Sequence, residues 1–493
     1  MSDPADAPAF AHRGLVEGFY GPPWSHADRR WWVKRLGELG MNRFLVAPKS
    51  DRFQREDWRE PYPRAELDRF RELVDEGTAR GVSVGFAVSP GLSIRYSEEK
   101  DVRDLLAKLR GFTDLGCRFV SLQLDDVPLE LQHAEDRRAF PGLAAAHVAI
   151  ANAARGSLDQ EVMLWLVPTD YAGIGDSDYL AELGDGLAAE IEVGWTGRSV
   201  LAPEIRGAEA TARAEILGRP LLIWDNTPVA DGAMRVGMHL GPYRGRDANL
   251  QQSVCGILLN PMEHARASAV TVATAAAYLA DPVDYDPERA WQQATAEVGG
   301  NAAEEFTLFC AAHRFSPLEP ESRDAELDDA FAELRRVAVA DRPVAEALAA
   351  LQRLIDRRLE VGPTLRRELE PVLAQELEPW LANHETETQR MHQALLALEI
   401  VEGDHPPLEK GLAVARLEGR LTRLPTSGLA SYGPRRAFLP QLEPFPRDER
   451  ALSPDALLVR DRCLAEEIVR FVEDRALARL GGTALPARGT NPP

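Results

Sequence analysis

The sequence predicts a (β/α)8 barrel followed by an all-α helical bundle region. Three observations carry this. Eight short apolar runs recur through the first part of the chain, and helix-type segments with start and stop signals separate them. Beyond about residue 285 the runs disappear and long amphipathic patterns take over.

The runs are, in order, "GLVEGFY" from Gly14, "NRFLVAP" from Asn42, "GVSVGFAVSP" from Gly81, "CRFVSLQLDD" from Cys117, "EVMLWLVP" from Glu161, "EIEVGWTG" from Glu190, "RPLLIWDN" from Arg219 and "VCGILLNP" from Val254. Each is apolar on both faces, as parallel strands covered by helices must be. The intervening segments read as helices. "SHADRRWWVKRLGELG" opens on a capping Ser25 and closes on Gly40, and "RAELDRFRELVDEGTARG" and "EKDVRDLLAKLRGFTDLG" have the same form. Strand–helix units roughly 30–40 residues apart suit an eightfold barrel.

The expected domains are a flexible N-terminus over 1–10, a catalytic barrel over 11–285 and a helical domain over 286–480. A Pro-rich interruption near 403–453 breaks the helical domain, a last helix runs from about Ser453 to Leu480, and 481–493 form a disordered tail. The net charge of −21 argues against nucleic acid or an anionic membrane as partner. Cys117, Cys255, Cys310 and Cys463 show no CxxC, and the ten histidines form no HxH or HExxH, so no metal and no cofactor is expected. Cys117 and Cys255 lie at strand starts and read as packing residues. No signal peptide or bilayer-length apolar run is evident, and the expected location is the cytoplasm.

Barrels carry their chemistry at the C-terminal ends of strands. Those ends supply Lys49, Asp125 with Asp126, Tyr171, Trp195, Trp224 with Asn226 and Asp231, and Asn260. Aromatic faces, amides and carboxylates are what a neutral sugar needs. At a strand tip the chain turns, so two adjacent aspartates can reach one pocket. Like charges so close should push one pKa up and leave one acid beside one carboxylate. Adjacent residues fit poorly on opposite faces of a sugar ring, as an ordinary acid–nucleophile pair requires. They fit better if the nucleophile is the substrate's own N-acetyl oxygen. The plain alternative is that Asp126 caps a helix with Pro128 in its first turn.

The chain resembles glycoside hydrolase family 84, the O-GlcNAcases and hyaluronidase-like β-N-acetylglucosaminidases. The resemblance covers roughly residues 12–290 and rests on "EGFYGPPW" (17–24), "APK" (47–49), "SPG" (89–91), "DD" (125–126), "PTDY" (168–171), "WTG" (195–197), "WDN" (224–226) and "NPM" (260–262), in family order. It implies that Asp125 orients and polarises the acetamido group and that Asp126 is the general acid, then base. It further implies that Gly18 and Lys49 bind sugar hydroxyls, that Tyr171 and Trp224 lie at the acetamido pocket, and that Asn226, Asp231 and Asn260 hold the sugar or its linkage. Trp195 completes the expected binding set. Ser50, Thr227 and Ala230 depart from the family pattern.

The expected function is a retaining β-N-acetylglucosaminidase that uses substrate assistance and removes O-linked GlcNAc from proteins or glycoconjugates. Two alternatives stand beside it: a glycosidase for free or cell-wall-derived GlcNAc glycans, and a non-catalytic sugar-binding interaction protein. The expected partners are a GlcNAc-bearing protein or glycan and a second copy of the chain, paired through the leucine-rich helical region.

Overall fold

A computed structural model describes residues 9–316, 318–319, 322–433 and 463–481. Eight parallel strands close into a barrel in sequence order. They are β1 (His12–Glu17), β2 (Arg43–Val46), β3 (Ser83–Val88), β4 (Phe119–Gln123), β5 (Met163–Val167), β6 (Ile191–Trp195), β7 (Leu221–Asp225) and β8 (Val254–Leu259). The seam between β1 and β8 pairs His12 with Gly256 and Leu15 with Leu259.

The outer helices are α1 (His26–Glu38), α2 (Arg64–Ala79), α3 (Glu99–Thr113), α4 (Ala134–Ala139), α5 (Leu143–Gly156), α6 (Asp178–Gly186), α7 (Gly207–Leu217) and α8 (Ala269–Ala280). Local chemistry sets their ends. The Ser25 hydroxyl accepts from the Asp28 N–H at the start of α1, and Gly40 beyond its end takes a left-handed φ of 68°. Val16, Leu45, Phe119, Trp165, Leu222 and Leu258 belong to one buried cluster contributed by six strands of the barrel. The strands are buried on both sides, which is why the sequence shows runs rather than alternation.

The chain forms two compact units. One holds the barrel and extends to Trp291; the other takes 233–241 and most of the chain from Gln292 onward. The second unit consists of helices. After α9 (Pro287–Gly299) come α10 (Ala303–Ala312), α11 (Ala325–Val339), α12 (Ala345–Leu359), α13 (Val361–Glu368), α14 (Pro371–Glu402), α15 (Pro407–Leu421) and α16 (Leu464–Arg479). Leu334, Leu351, Ile355, Met391, Leu395 and Ile468 meet in its core. No helix among the described residues is long and apolar enough to cross a membrane.

Two details differ from the sequence reading. The stretch read as a Pro-rich interruption contains α15. Its prolines, Pro406 and Pro407, sit at the cap and first position, where a missing N–H costs nothing. Phe10, placed in a flexible N-terminus, is fully buried, and its carbonyl accepts from the Arg13 guanidinium. The last helix is seen over Leu464–Arg479; its expected start at Ser453, the remainder of the Pro-rich stretch from 434, the tail beyond 481 and residues 1–8 lie outside the described residues.

Candidate active site

The Asp pair lies one residue beyond β4, and no helix follows at once: the next one begins at Ala134. The helix-cap alternative for Asp126 therefore fails. Asp126 instead adopts a left-handed φ of 53°, a conformation that aspartate tolerates better than most residues. This turn lets consecutive side chains serve one rim. The ladder carries on past the strand, as the Leu124 N–H donates to the Val167 carbonyl, and the Thr169 hydroxyl donates to the Leu124 carbonyl.

The two carboxylates have different surroundings. Asp125 is buried, and the Lys49 ammonium donates to its Oδ2 at 2.5 Å. Its Oδ1 is also buried and accepts no hydrogen bond among the described residues. Burial works against the Lys49 charge, but the Asp125 and Asp126 carboxylates outweigh it and raise its pKa above the ordinary lysine value. Lys49 also lies 5.3 Å from the Trp224 ring centroid.

Asp126 is open to solvent on one side and crowded on the other. Its Oδ1 accepts from the Tyr171 hydroxyl at 2.8 Å and its Oδ2 from the Tyr20 hydroxyl at 2.9 Å. Lost hydration raises its pKa, but the Lys49 charge, the Tyr171 and Tyr20 hydrogen bonds and the Arg55 charge together win, and the net direction is down. Asp126 is therefore not the carboxyl that repulsion within the pair lifts. Asp126 has donors of its own, and these stabilise its ionised form more than burial destabilises it. Burial, then the Asp126 charge, raises both tyrosine pKa values, so the two phenols stay protonated donors.

A second group of residues forms the wall. Trp224 and Asn260 are nearly buried, and Asn226 lies between them. Asn226 Oδ1 accepts from Trp224 Nε1 at 2.9 Å and from Asn260 Nδ2 at 2.9 Å, while its Nδ2 donates to the Val200 carbonyl. Asn260 Oδ1 accepts from the Gly18 N–H at 3.2 Å, and Asp231 Oδ2 accepts from the Tyr20 N–H at 2.7 Å. One chain of polar contacts thus links Gly18, Trp224, Asn226 and Asn260. Most of the Asn226 amide is engaged within this wall.

Gly18 shows why the loop after β1 needs a glycine. A Cβ there would lie 2.2 Å from Trp224 Cζ2 and 2.5 Å from Cη2. Gly18→Ala should therefore push the indole aside and destabilise the fold by ~1–3 kcal/mol. Urea unfolding followed by tryptophan fluorescence checks this; an unchanged midpoint would show that the contact is slack.

Trp195 stands apart from this group. Its neighbour Gly194 is the residue that approaches the interior side chains Trp165 and Val167, while Trp195 itself is fully buried and donates its indole N–H to the Gly173 carbonyl at 3.0 Å. It supports the loop after β5 and is not brought to the pocket. The departures from the family pattern also have local partners. Ser50 donates to the Gly21 carbonyl, Thr227 accepts from the Arg246 guanidinium, and Ala230 is buried. Arg246 is held by buried Asp225, which also accepts from the Tyr243 hydroxyl, and this brace fixes the end of β7.

Sequence reasoning missed Tyr20 and Arg55. Arg55 Nη1 lies 3.5 Å from the Tyr20 hydroxyl, which in turn meets Asp126 across 106 positions of sequence. Tyr20 lies inside the "EGFYGPPW" motif, and that was the available signal. Tyr20→Phe removes one donor to the Asp126 carboxylate, so the pKa of Asp126 should rise. If Asp126 must be protonated to act, the alkaline limb of kcat/KM moves to higher pH. A pH–rate profile measures this, and a downward move would contradict the assignment.

A family model described as β-N-acetylglucosaminidase matches residues 13–311. The "Protein O-GlcNAcase" of Rattus norvegicus and that of Mus musculus are each 34% identical to this chain over 271 residues, 54% of its length. The chain spans 29% of the length of these curated relatives. A solved O-GlcNAc hydrolase from Thermobaculum terrenum, an aspartate-to-asparagine mutant, superposes with a TM-score of 0.81 at 28% identity. That match covers 96% of this chain and 97% of the other.

Proposed function

Because this chain belongs to the β-N-acetylglucosaminidase family, glycoside hydrolase family 84, we propose that it is a retaining β-N-acetylglucosaminidase that removes O-linked GlcNAc from proteins through an oxazoline intermediate. The observation that carries the mechanism is Asp125 Oδ1, a buried carboxylate oxygen with no donor among the described residues, next to an aspartate open to solvent. A buried acceptor left without a partner is costly, and a substrate N–H would satisfy it.

In this reading Asp125 accepts the acetamido N–H and so turns the acetamido oxygen toward C1. Lys49 holds the Asp125 carboxylate in place as positive charge develops on the forming ring. The oxygen attacks C1, the glycosidic C–O bond breaks, and Asp126 gives its proton to the departing oxygen. Asp126 then takes a proton from water, which opens the ring at C1. Two inversions give net retention. Tyr171 and Tyr20 aim the Asp126 carboxyl, and Trp224 with Asn260 and Gly18 forms the wall against the sugar.

The protein-linked substrate is supported by the names of the relatives, and the cytoplasm by four cysteines that are all free. Pairing of two chains through the helical unit is supported by Leu408 and Leu412, exposed one turn apart on α15.

The test is hydrolysis of an aryl N-acetyl-β-glucosaminide followed by NMR beside the matching glucoside. Turnover of the first with the β-anomer formed first, and near-inertness of the second, is the expected result. Equal rates on both sugars, or an initial α-anomer, would remove the acetamido group from the mechanism.

A further inference from the structure

At the opposite end of the barrel, three unlike side chains converge. His12 opens β1, Glu192 lies near the start of β6, and Cys255 near the start of β8. Cys255 reaches this place through an irregularity in pairing. Leu221 pairs with Val254 and Leu222 with Gly256, so Cys255 is an extra residue on β8 and is re-aimed as bulge residues are. It packs against the interior cluster that contains Leu258. One ligand atom from each of the three residues lies within 4.8 Å of the other two, and Cys255 Sγ is 3.2 Å from Glu192 Oε2. His12 Nδ1 is buried and has no hydrogen-bond partner among the described residues.

We propose that His12, Glu192 and Cys255 form a binding site for a divalent transition-metal ion of the zinc class, which pins β1, β6 and β8 at the base of the barrel. The donor set is one imidazole nitrogen, one thiolate and one carboxylate, which suits a borderline-soft ion in tetrahedral geometry with water as fourth ligand. Ligand atoms around such an ion are about 3.5 Å apart, so the cluster needs to contract by only about 1 Å. All three residues are partly exposed, so an ion can enter, whereas Cys117, Cys310 and Cys463 are buried. On binding, the Cys255 S–H bond is replaced by a sulfur–metal bond and the proton leaves to solvent. The thiolate and carboxylate then balance the two charges of the ion. The nearby Arg43 and Arg13 guanidinium groups oppose a cation there, so the expected Kd is on the order of micromolar, weaker than for a four-ligand structural site.

The experiment uses the full chain, reduced and stripped with chelator. Titration with Cd2+ should give one saturable thiolate-to-metal absorption band per chain, with one proton released, and Zn2+ should displace it. Zn2+ should also shield Cys255 from alkylation, read by peptide mass spectrometry on unmodified protein, so the result does not depend on a variant folding. Cys255→Ser should abolish the band. Glu192→Gln and His12→Ala should weaken binding at least tenfold, while turnover of an aryl N-acetyl-β-glucosaminide in chelator stays unchanged. No band with the native chain, a band that survives Cys255→Ser, or alkylation of Cys255 unaffected by Zn2+ would each overturn the site.

Discussion

Replacing the acid at Asp126 should slow hydrolysis by ~10²–10⁴-fold on a substrate with a basic leaving group, the usual worth of general acid–base help. An acidic phenol departs without a proton, so the first step on such a substrate should lose far less. The structure recommends Asp126→Asn over Asp126→Ala for this experiment. Asp126 holds a left-handed φ of 53°, which asparagine accepts and alanine resists. Asparagine also preserves an oxygen for Tyr171 and Tyr20 but has no acidic proton to give. Because Asp126 is exposed, its unfolding midpoint should change little. If the loss is the same for every leaving group, Asp126 is not the acid.

Asp125 should fail differently. It acts on the nucleophile, so Asp125→Ala should be slow for every leaving group, with damage that does not depend on leaving-group pKa. Loss of one preorganised charge at a developing charge costs about 10²–10³-fold. A stability cost comes with it. Lys49 and Asp125 have side-chain exposures of 4% and 8%, and removing one member of a buried ion pair costs ~3–5 kcal/mol because the other charge is stranded. The rates must therefore be measured on protein shown to be folded by circular dichroism. Asp125→Asn separates the two effects, since the amide oxygen still accepts the acetamido N–H but carries no charge. A leaving-group dependence at Asp125 and none at Asp126 would mean that the roles are reversed.

The barrel was legible because parallel strands covered on both sides leave continuous apolar runs, and each run ends at a residue of the rim. The pocket residues Lys49, Asp125, Asp126, Tyr171 and Trp224 could be read from those ends. What sequence could not give was the face of a residue at a strand tip. Trp195 looks like Trp224 in sequence, yet Gly194 takes the interior position and Trp195 packs away from the pocket. Tyr20 lay inside the "EGFYGPPW" motif, but its partner was hidden for another reason. Its partner Asp126 is 106 positions away, and the choice between them depends on loop geometry that no periodicity encodes. The direction of the Asp126 pKa was hidden on the same ground, since repulsion between neighbours is visible in sequence and distant donors are not. Cys255 packs as read, but the bulge that also turns it toward His12 and Glu192 leaves no mark in composition.

The claim at the centre is an intermediate in which the substrate's own acetamido oxygen is bonded to C1. Its most direct measurement is the product formed when Asp126→Asn cleaves an N-acetylglucosaminide of an acidic phenol in the presence of azide. With the base at Asp126 removed, azide should attack the intermediate in place of activated water and speed turnover. The oxazoline blocks one face of C1, so the expected product is the β-glycosyl azide, identified by NMR. The α-glycosyl azide, formed by direct displacement of the phenol, would contradict the mechanism.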